Sequence, residues 1–175
     1  MRVSIPRRRI AWCLAVMVLA LLLVAPRGMA QDAPDPAGDT TLVATMTRVV
    51  AQGLADVLGT LPDEPARVAA LRAFVRNVRF LQDQSGYFWV YRGHVCVSNP
   101  AFPELEGRDQ GDLTDAAGAH IMRDMAELAA AGGGFYSYRW KKPAQDGPAL
   151  AKLASVAPLP GTEYWIGTGV YLAGD

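Results

Sequence analysis

Gly86-Tyr-Phe-Trp-Val-Tyr91 is the stretch on which the fold turns. It is a run of aromatic and β-branched residues, the types that fit a pleated, half-buried surface. Alternation along a strand places Tyr87, Trp89 and Tyr91 on one face and Phe88 and Val90 on the other. Arg92-Gly93 supplies a tight turn, since glycine accepts positive φ, and residues 94–98 return as the partner strand. Two similar blocks follow, Gly132-Gly-Gly-Phe-Tyr-Ser-Tyr-Arg-Trp-Lys-Lys-Pro143 and Tyr164-Trp-Ile-Gly-Thr-Gly-Val-Tyr171. All six tyrosines, and every tryptophan except Trp12, lie in these three blocks. Residues 135–140, 150–156 and 164–172 read as three further strands. Tyr136, Tyr138 and Trp140 share a face of the first of them, while Phe88 and Phe135 are expected in the core.

The helices lie outside these blocks. Residues 40–59 carry Val43, Met46, Val50, Leu54 and Val57 on one stripe, with Asp39 or Thr40 as cap and Gly59 as stop. Pro62-Asp-Glu-Pro65 opens a second helix, with Asp63 capping and Pro65 in the first turn. Its buried stripe is Val68, Leu71, Val75 and Val78, and Arg67, Arg72, Arg76 and Arg79 form a solvated face. A long loop, residues 99–113, leads to a third helix capped at Thr114-Asp115, with Ile121, Met125 and Leu128 inward and Gly132-Gly133-Gly134 as its end. Long loops of this kind often cover sites. Runs of strands joined by short turns, with helices to one side, give an α+β fold with an antiparallel sheet.

The first thirty residues read as a secretory signal peptide. Arg7-Arg8-Arg9 precedes an uncharged apolar run at residues 10–25, and Gly28-Met29-Ala30 offers small residues for cleavage after Ala30. An uncleaved membrane anchor is the alternative. Residues 31–39 form a flexible leader rich in Pro, Asp and Ala, and residues 40–175 a single domain. Removal of the signal takes away five arginines and no acid, leaving 12 Lys+Arg against 17 Asp+Glu. That acidic balance argues against nucleic-acid binding. Cys96 is then the lone cysteine, read as a buried packing residue. No CxxC, CxxCH or His-rich tract is present, so no cofactor is expected. The acids of residues 104–115 lack calcium-loop spacing and call for no metal. His94 and His120 have no partnered nucleophile, and His120 is expected to pair with Asp124 at the surface. No catalytic residue and no enzymatic activity are expected.

The ordered set of motifs resembles the single Cache domain family, PAS-like extracytoplasmic sensors of bacteria. The resemblance rests on Gly86 to Tyr91, Asn99-Pro100, Leu105-Glu106-Gly107-Arg108, Asp112-Leu113, Asp115-x-x-Gly118, Tyr138-x-Trp140-x-x-Pro143, Lys152 with Val156, and Trp165-Ile-Gly-Thr-Gly-Val-Tyr171. It implies a five-stranded antiparallel sheet with N-terminal helices, a helix between strands 2 and 3, and a pocket beneath the loop and that helix. Small organic acids such as acetate, propionate or pyruvate are the ligands it implies. Many relatives carry a His where this chain has Ser98 or Asn99, and the middle of the Lys-x-Ser-Tyr-Val strand is replaced by Ala154-Ser155. The chain shows no second span or output domain before Asp175, so a free-standing, periplasmic or secreted member is expected, presenting its occupied state to a membrane receptor or transporter. A protein-interaction module with a vestigial pocket is the alternative.

A carboxylate ligand needs a cation or several donors. Lys152, in a strand of apolar neighbours and matched to the family's lysine, is the preferred counter-charge. Tyr87, Trp89, Tyr138 and Trp140 are candidate walls, and Ser98 and Asn99 candidate donors. Arg108, Arg139, Lys141 and Lys142 are weaker cation candidates.

Overall fold

The structure is a computed structural model that describes residues 36–115 and 118–172; the expected signal peptide and residues 31–35 of the expected leader lie outside the described residues. Helix α1 spans Pro36–Gly59 and α2 spans Glu64–Val75. Strands β1 (Trp89–Arg92) and β2 (Val95–Ser98) form a hairpin. A single 3-10 turn at Pro103–Leu105 interrupts the loop that leads to α3, Ile121–Ala130. Strands β3 (Gly134–Trp140), β4 (Leu150–Pro158) and β5 (Tyr164–Tyr171) complete an antiparallel five-stranded sheet in the order β2-β1-β5-β4-β3. The α+β architecture expected from the sequence is the one observed.

The sheet separates two cores, and the alternation of the aromatic strand assigns residues to each. Phe88 and Val90 face α1 and α2, packing with Leu54, Leu58, Leu71, Val75 and Ile166. Tyr87, Trp89 and Tyr91 face the other way, with Cys96, Ile121, Met125, Tyr138 and Trp165. Leu58 and Leu71 are fully buried; truncating such a leucine to alanine costs about 2–5 kcal/mol. Helix α1 is long and apolar enough to cross a membrane by composition, yet its inner stripe of Val43, Thr47, Ala51, Leu54 and Leu58 is buried in this domain.

Local signals explain most boundaries. Asp63 caps α2 by accepting a hydrogen bond from Ala66 N at 2.9 Å, and Pro65 sits in the first turn, where a missing amide is harmless. Gly132 and Gly133 end α3 with φ of 107° and 94°, a region that side chains disfavour.

Other boundaries differ from expectation. Helix α1 begins at Pro36, so residues 36–39 are helical rather than leader, and Asp39 lies within the first turn instead of capping it. Val57 is exposed, and Leu58 takes the inward place. Helix α3 starts at Ile121, not Thr114, because the Asp115 carboxylate accepts from Ala119 N and holds a tight turn ahead of the helix. Asp124 takes the Tyr136 hydroxyl at 2.6 Å rather than His120, whose Nδ1 is buried without a partner. Phe135 is 47% exposed, not core; it lies on edge strand β3 and belongs to neither core cluster. Helix α2 ends at Val75, so Arg76 and Arg79 follow it rather than lying on its face, and the arginines here are less free than expected. Arg72 Nε donates to Val97 O, and Arg79 donates to Val78 O and Pro100 O.

Candidate ligand-binding site

Register brings the site together. Tyr138 on β3, Lys152 on β4 and Tyr171 on β5 are directly opposite one another. Paired residues share a face, and here it is the face of Tyr87 and Trp89. Strand β5 lies between β4 and β1, and its residues Gly167 and Gly169 bring no side chain to that face. A Cβ at Gly167 would come within 2.6 Å of the Trp89 indole, so the ring lies directly on the glycine. Lys152 and Tyr87 meet above this bare strip, with Lys152 Nζ donating to the Tyr87 hydroxyl at 2.8 Å.

Lys152 is 0% exposed. Its ammonium lies 4.1 Å from the ring centre of Tyr87, 4.5 Å from that of Trp89 and 4.9 Å from that of Tyr171. Among the described residues no carboxylate lies within ion-pair distance of it. Burial therefore drives its pKa well below the ordinary value, because a dry setting disfavours the charged form. Burial also lifts the Tyr87 and Tyr138 hydroxyls well above the ordinary phenol range, which keeps both protonated. Trp89 Nε1 is buried with no hydrogen-bond partner. The cluster is thus rich in donors and lacks an anion, the arrangement that suits a carboxylate.

Ser98 and Asn99 do other work. Ser98 Oγ donates to Glu106 Oε1 at 2.8 Å, and Asn99 N donates to the same oxygen at 2.9 Å. Both tie the end of β2 to the loop. The Asn99 side-chain oxygen is buried and unpartnered, and its carbonyl accepts from Phe102 N to begin the turn that delivers Phe102. The loop then runs back along β2 through Gly107 N to Cys96 O, Cys96 N to Arg108 O, and Gln110 N to His94 O.

Phe102 roofs the cluster. Its ring centre is 6.1 Å from Tyr87 and 5.7 Å from Trp140, edge-on to both, and Trp140 is 5.8 Å from Tyr138. Beyond this roof a cavity of about 600 Å³ opens between the loop and β3, walled by Phe102, Leu105, Leu113, Ile121, Trp140 and Pro148. Lys142 Nζ bridges Asp83 at 2.7 Å and lies 5.9 Å from the Tyr171 ring centre, and the Tyr171 hydroxyl donates to Lys141 O. Burial alone would raise the Asp83 carboxyl, but hydrogen bonds from Lys142 and Ser85 outweigh it and hold it at about 2.

The structure therefore gathers Tyr87, Trp89, Tyr138 and Lys152, puts Trp140 in the roof, and commits Ser98 and Asn99 to Glu106. Of the weaker cation candidates, Arg139 and Lys141 border the cavity, Lys142 is paired with Asp83, and Arg108 is exposed. Sequence reasoning missed Tyr171, Phe102 and the glycine strip. Tyr171 was legible from alternation with Gly169 and Gly167; Phe102 carried no signal beyond its place in a long loop. Among the described residues no cluster of three His, Cys, Asp or Glu is placed to hold a metal.

Comparison with known proteins adds family context. The family model for the Cache domain matches residues 61–174. The chain is 34% identical over 112 residues to a sensor histidine kinase, MctS, of Rhizobium johnstonii; the match covers 63% of this chain and 23% of the kinase, so the chain spans about a quarter of that relative. The periplasmic sensor domain of a chemotaxis protein superposes with a TM-score of 0.68 and 28% identity, covering 80% of this chain and 99% of that one. A Cache chemosensory domain, solved in work on carboxylic acid recognition, gives a TM-score of 0.61 and 28% identity, covering 78% of this chain and 92% of that one. With sheet order, helix placement and sequence in agreement, the chain belongs to the Cache domain family of extracytoplasmic sensor domains.

Proposed function

We propose that this domain senses a small organic acid outside the cytoplasm, taking the carboxylate on Lys152 beneath the aromatic roof. One observation carries the reading: a fully buried ammonium that meets rings and a phenol but, among the described residues, no acid. An unpaired buried charge costs several kcal/mol, and a bound carboxylate removes that cost. Tyr87, Tyr138 and Trp89 supply walls and further donors. The solved relative described for carboxylic acid recognition supports the ligand class. The kinase relative supports signalling through a membrane receptor as the route by which occupancy is read, with a transporter as the other client. Export by residues 1–30, cleaved after Ala30, accounts for delivery.

Titration calorimetry against a panel of two- to four-carbon acids, with thermal shift in parallel, tests this. A true ligand raises Tm as its concentration passes Kd, and Trp140→Ala and Lys152→Ala each weaken it while the protein stays folded. No shift with any acid would sink the reading and favour a protein-interaction module whose pocket is vestigial.

A further inference from the structure

We propose that the cavity between the loop and β3 is a ligand site in its own right, and that it takes a small uncharged molecule built on a flat ring. The inference goes beyond the carboxylate reading and does not rest on it, because the cavity walls do not include Lys152, Tyr87, Trp89 or Tyr138. At about 600 Å³, the space is within the usual range for pockets that hold small molecules, roughly 300–1,000 Å³.

The cavity lies where the second core is left open. Phe102, Leu105, Leu113 and Trp140 pack against that core, yet all four are only half-buried and all four line the cavity. A guest that covers them gains apolar burial, the main favourable term in such a site. Ring geometry narrows its shape. The Phe102 and Trp140 rings stand nearly perpendicular, at 83°, with centres 5.7 Å apart. A flat ring set in that corner stacks on one and meets the other edge-on, the two arrangements that aromatic pairs prefer. Charge narrows its chemistry. Arg139 and Lys141 share the lining with Glu104 and Asp115, two groups of each sign. Two of these are already engaged: Arg139 donates to Ala149 O, and Asp115 accepts from Ala119 N. A net charge on the guest meets as many repelling groups as attracting ones, and loses its hydration on entry. A neutral hydroxyl avoids that cost and still finds donors and acceptors in Thr114, Glu104 and Lys141.

Calorimetry of the purified chain with p-cresol, 4-hydroxyphenylacetate and tyramine tests this. The three share one ring and differ in charge: none, negative and positive. p-Cresol should give a saturable heat, and each charged analogue should bind the cavity at least several-fold more weakly. Leu113→Trp and, separately, Ala149→Phe fill the cavity, and each should abolish the p-cresol heat. In an NMR titration of the wild type, p-cresol should shift the indole N–H of Trp140 and leave that of Trp165, held by Gly93 O, in place. That titration decides the location if a filled variant fails to fold by circular dichroism. Heat from 4-hydroxyphenylacetate that survives the filled variants belongs to the Lys152 cluster, so only the heat they abolish is counted for the cavity. Tighter cavity binding by either charged analogue overturns the ligand class. No saturable heat with p-cresol, or binding that survives both filled variants and leaves Trp140 unmoved, overturns the inference. The carboxylate reading stands or falls separately, on its own panel of acids.

Discussion

Replacing Lys152 by methionine should make the free domain more stable and its ligand complex weaker, two effects of opposite sign from one atom. The side chain is fully buried and its ammonium has no counter-ion among the described residues. Partial compensation comes from three ring faces at 4.1, 4.5 and 4.9 Å and one hydrogen bond of 2.8 Å to Tyr87. Desolvated cation–π contacts are worth about 2 kcal/mol together with the best ring, and a hydrogen bond to a charged group about 1.5–3 kcal/mol. Neither fully offsets a burial cost of several kcal/mol per ion. Methionine fills nearly the same volume without the charge, so a gain of about 1–2 kcal/mol is expected, or roughly 3–8 °C in Tm for a domain of this size. A carboxylate ligand, by contrast, loses its charged partner. Truncating one side of a buried charge pair costs about 2–5 kcal/mol, and 3 kcal/mol is roughly 150-fold in Kd. Thermal unfolding with and without the acid reads both effects in one experiment. A variant that binds the acid as tightly as wild type refutes the counter-charge role. A variant that loses several degrees in the absence of acid refutes the claim that the free ammonium is a net burden.

Proton linkage gives a second expectation. Unfolded, Lys152 titrates near its ordinary 10.5; folded, burial lowers it. Between those two values the unfolded chain holds more protons, so this residue's penalty shrinks as pH rises, and is in full force below the lowered value. Urea titrations across pH 7–10 should show a stability rise that Lys152→Met flattens. Carboxylate binding should recruit a proton above the lowered value, seen as a binding heat that varies with the ionisation enthalpy of the buffer. Gly167→Ala places a Cβ within 2.6 Å of the Trp89 indole and should cost about 1–3 kcal/mol with loss of acid binding; an unchanged Tm would show that the indole yields freely. Asp83→Asn breaks a half-exposed bridge to Lys142, so stability should fall by under about 1 kcal/mol. In the wild type the Asp83 contribution is present above 3.8 and lost as pH falls through about 2. Cys96 is buried, and burial lifts its thiol to about 12; native protein should resist a thiol-reactive dye that labels it at once in denaturant.

The sheet was legible because its signals are local. Strand alternation in residues 86–91 assigned Tyr87, Trp89 and Tyr91 to one core and Phe88 and Val90 to the other, as the structure has them. Asp63 with Pro65 marked a helix start, and the glycines after α3 its end. What failed depends on contacts between distant segments. Ser98 and Asn99 are polar at a strand end, and nothing local reveals that Glu106 curls back to take both. Asp115 has a capping side chain, but it serves Ala119 in a turn instead of opening α3. Phe135 fits a strand core by composition, yet β3 is an edge. Lys152 was found because a charge in an apolar strand is a local anomaly. Phe102 was not, since its importance arises only when the loop folds over the sheet.

The loop that carries Phe102 also seals one margin of the molecule. Its backbone fills hydrogen-bonding positions along the outer side of β2, through Gly107, Arg108 and Gln110, where an unsatisfied strand would otherwise invite another chain. Cavity wall and seam are therefore one segment. Variants engineered to admit bulkier guests by trimming this segment would bare the strand beside it, and their first symptom would be self-assembly in the tube rather than altered selectivity.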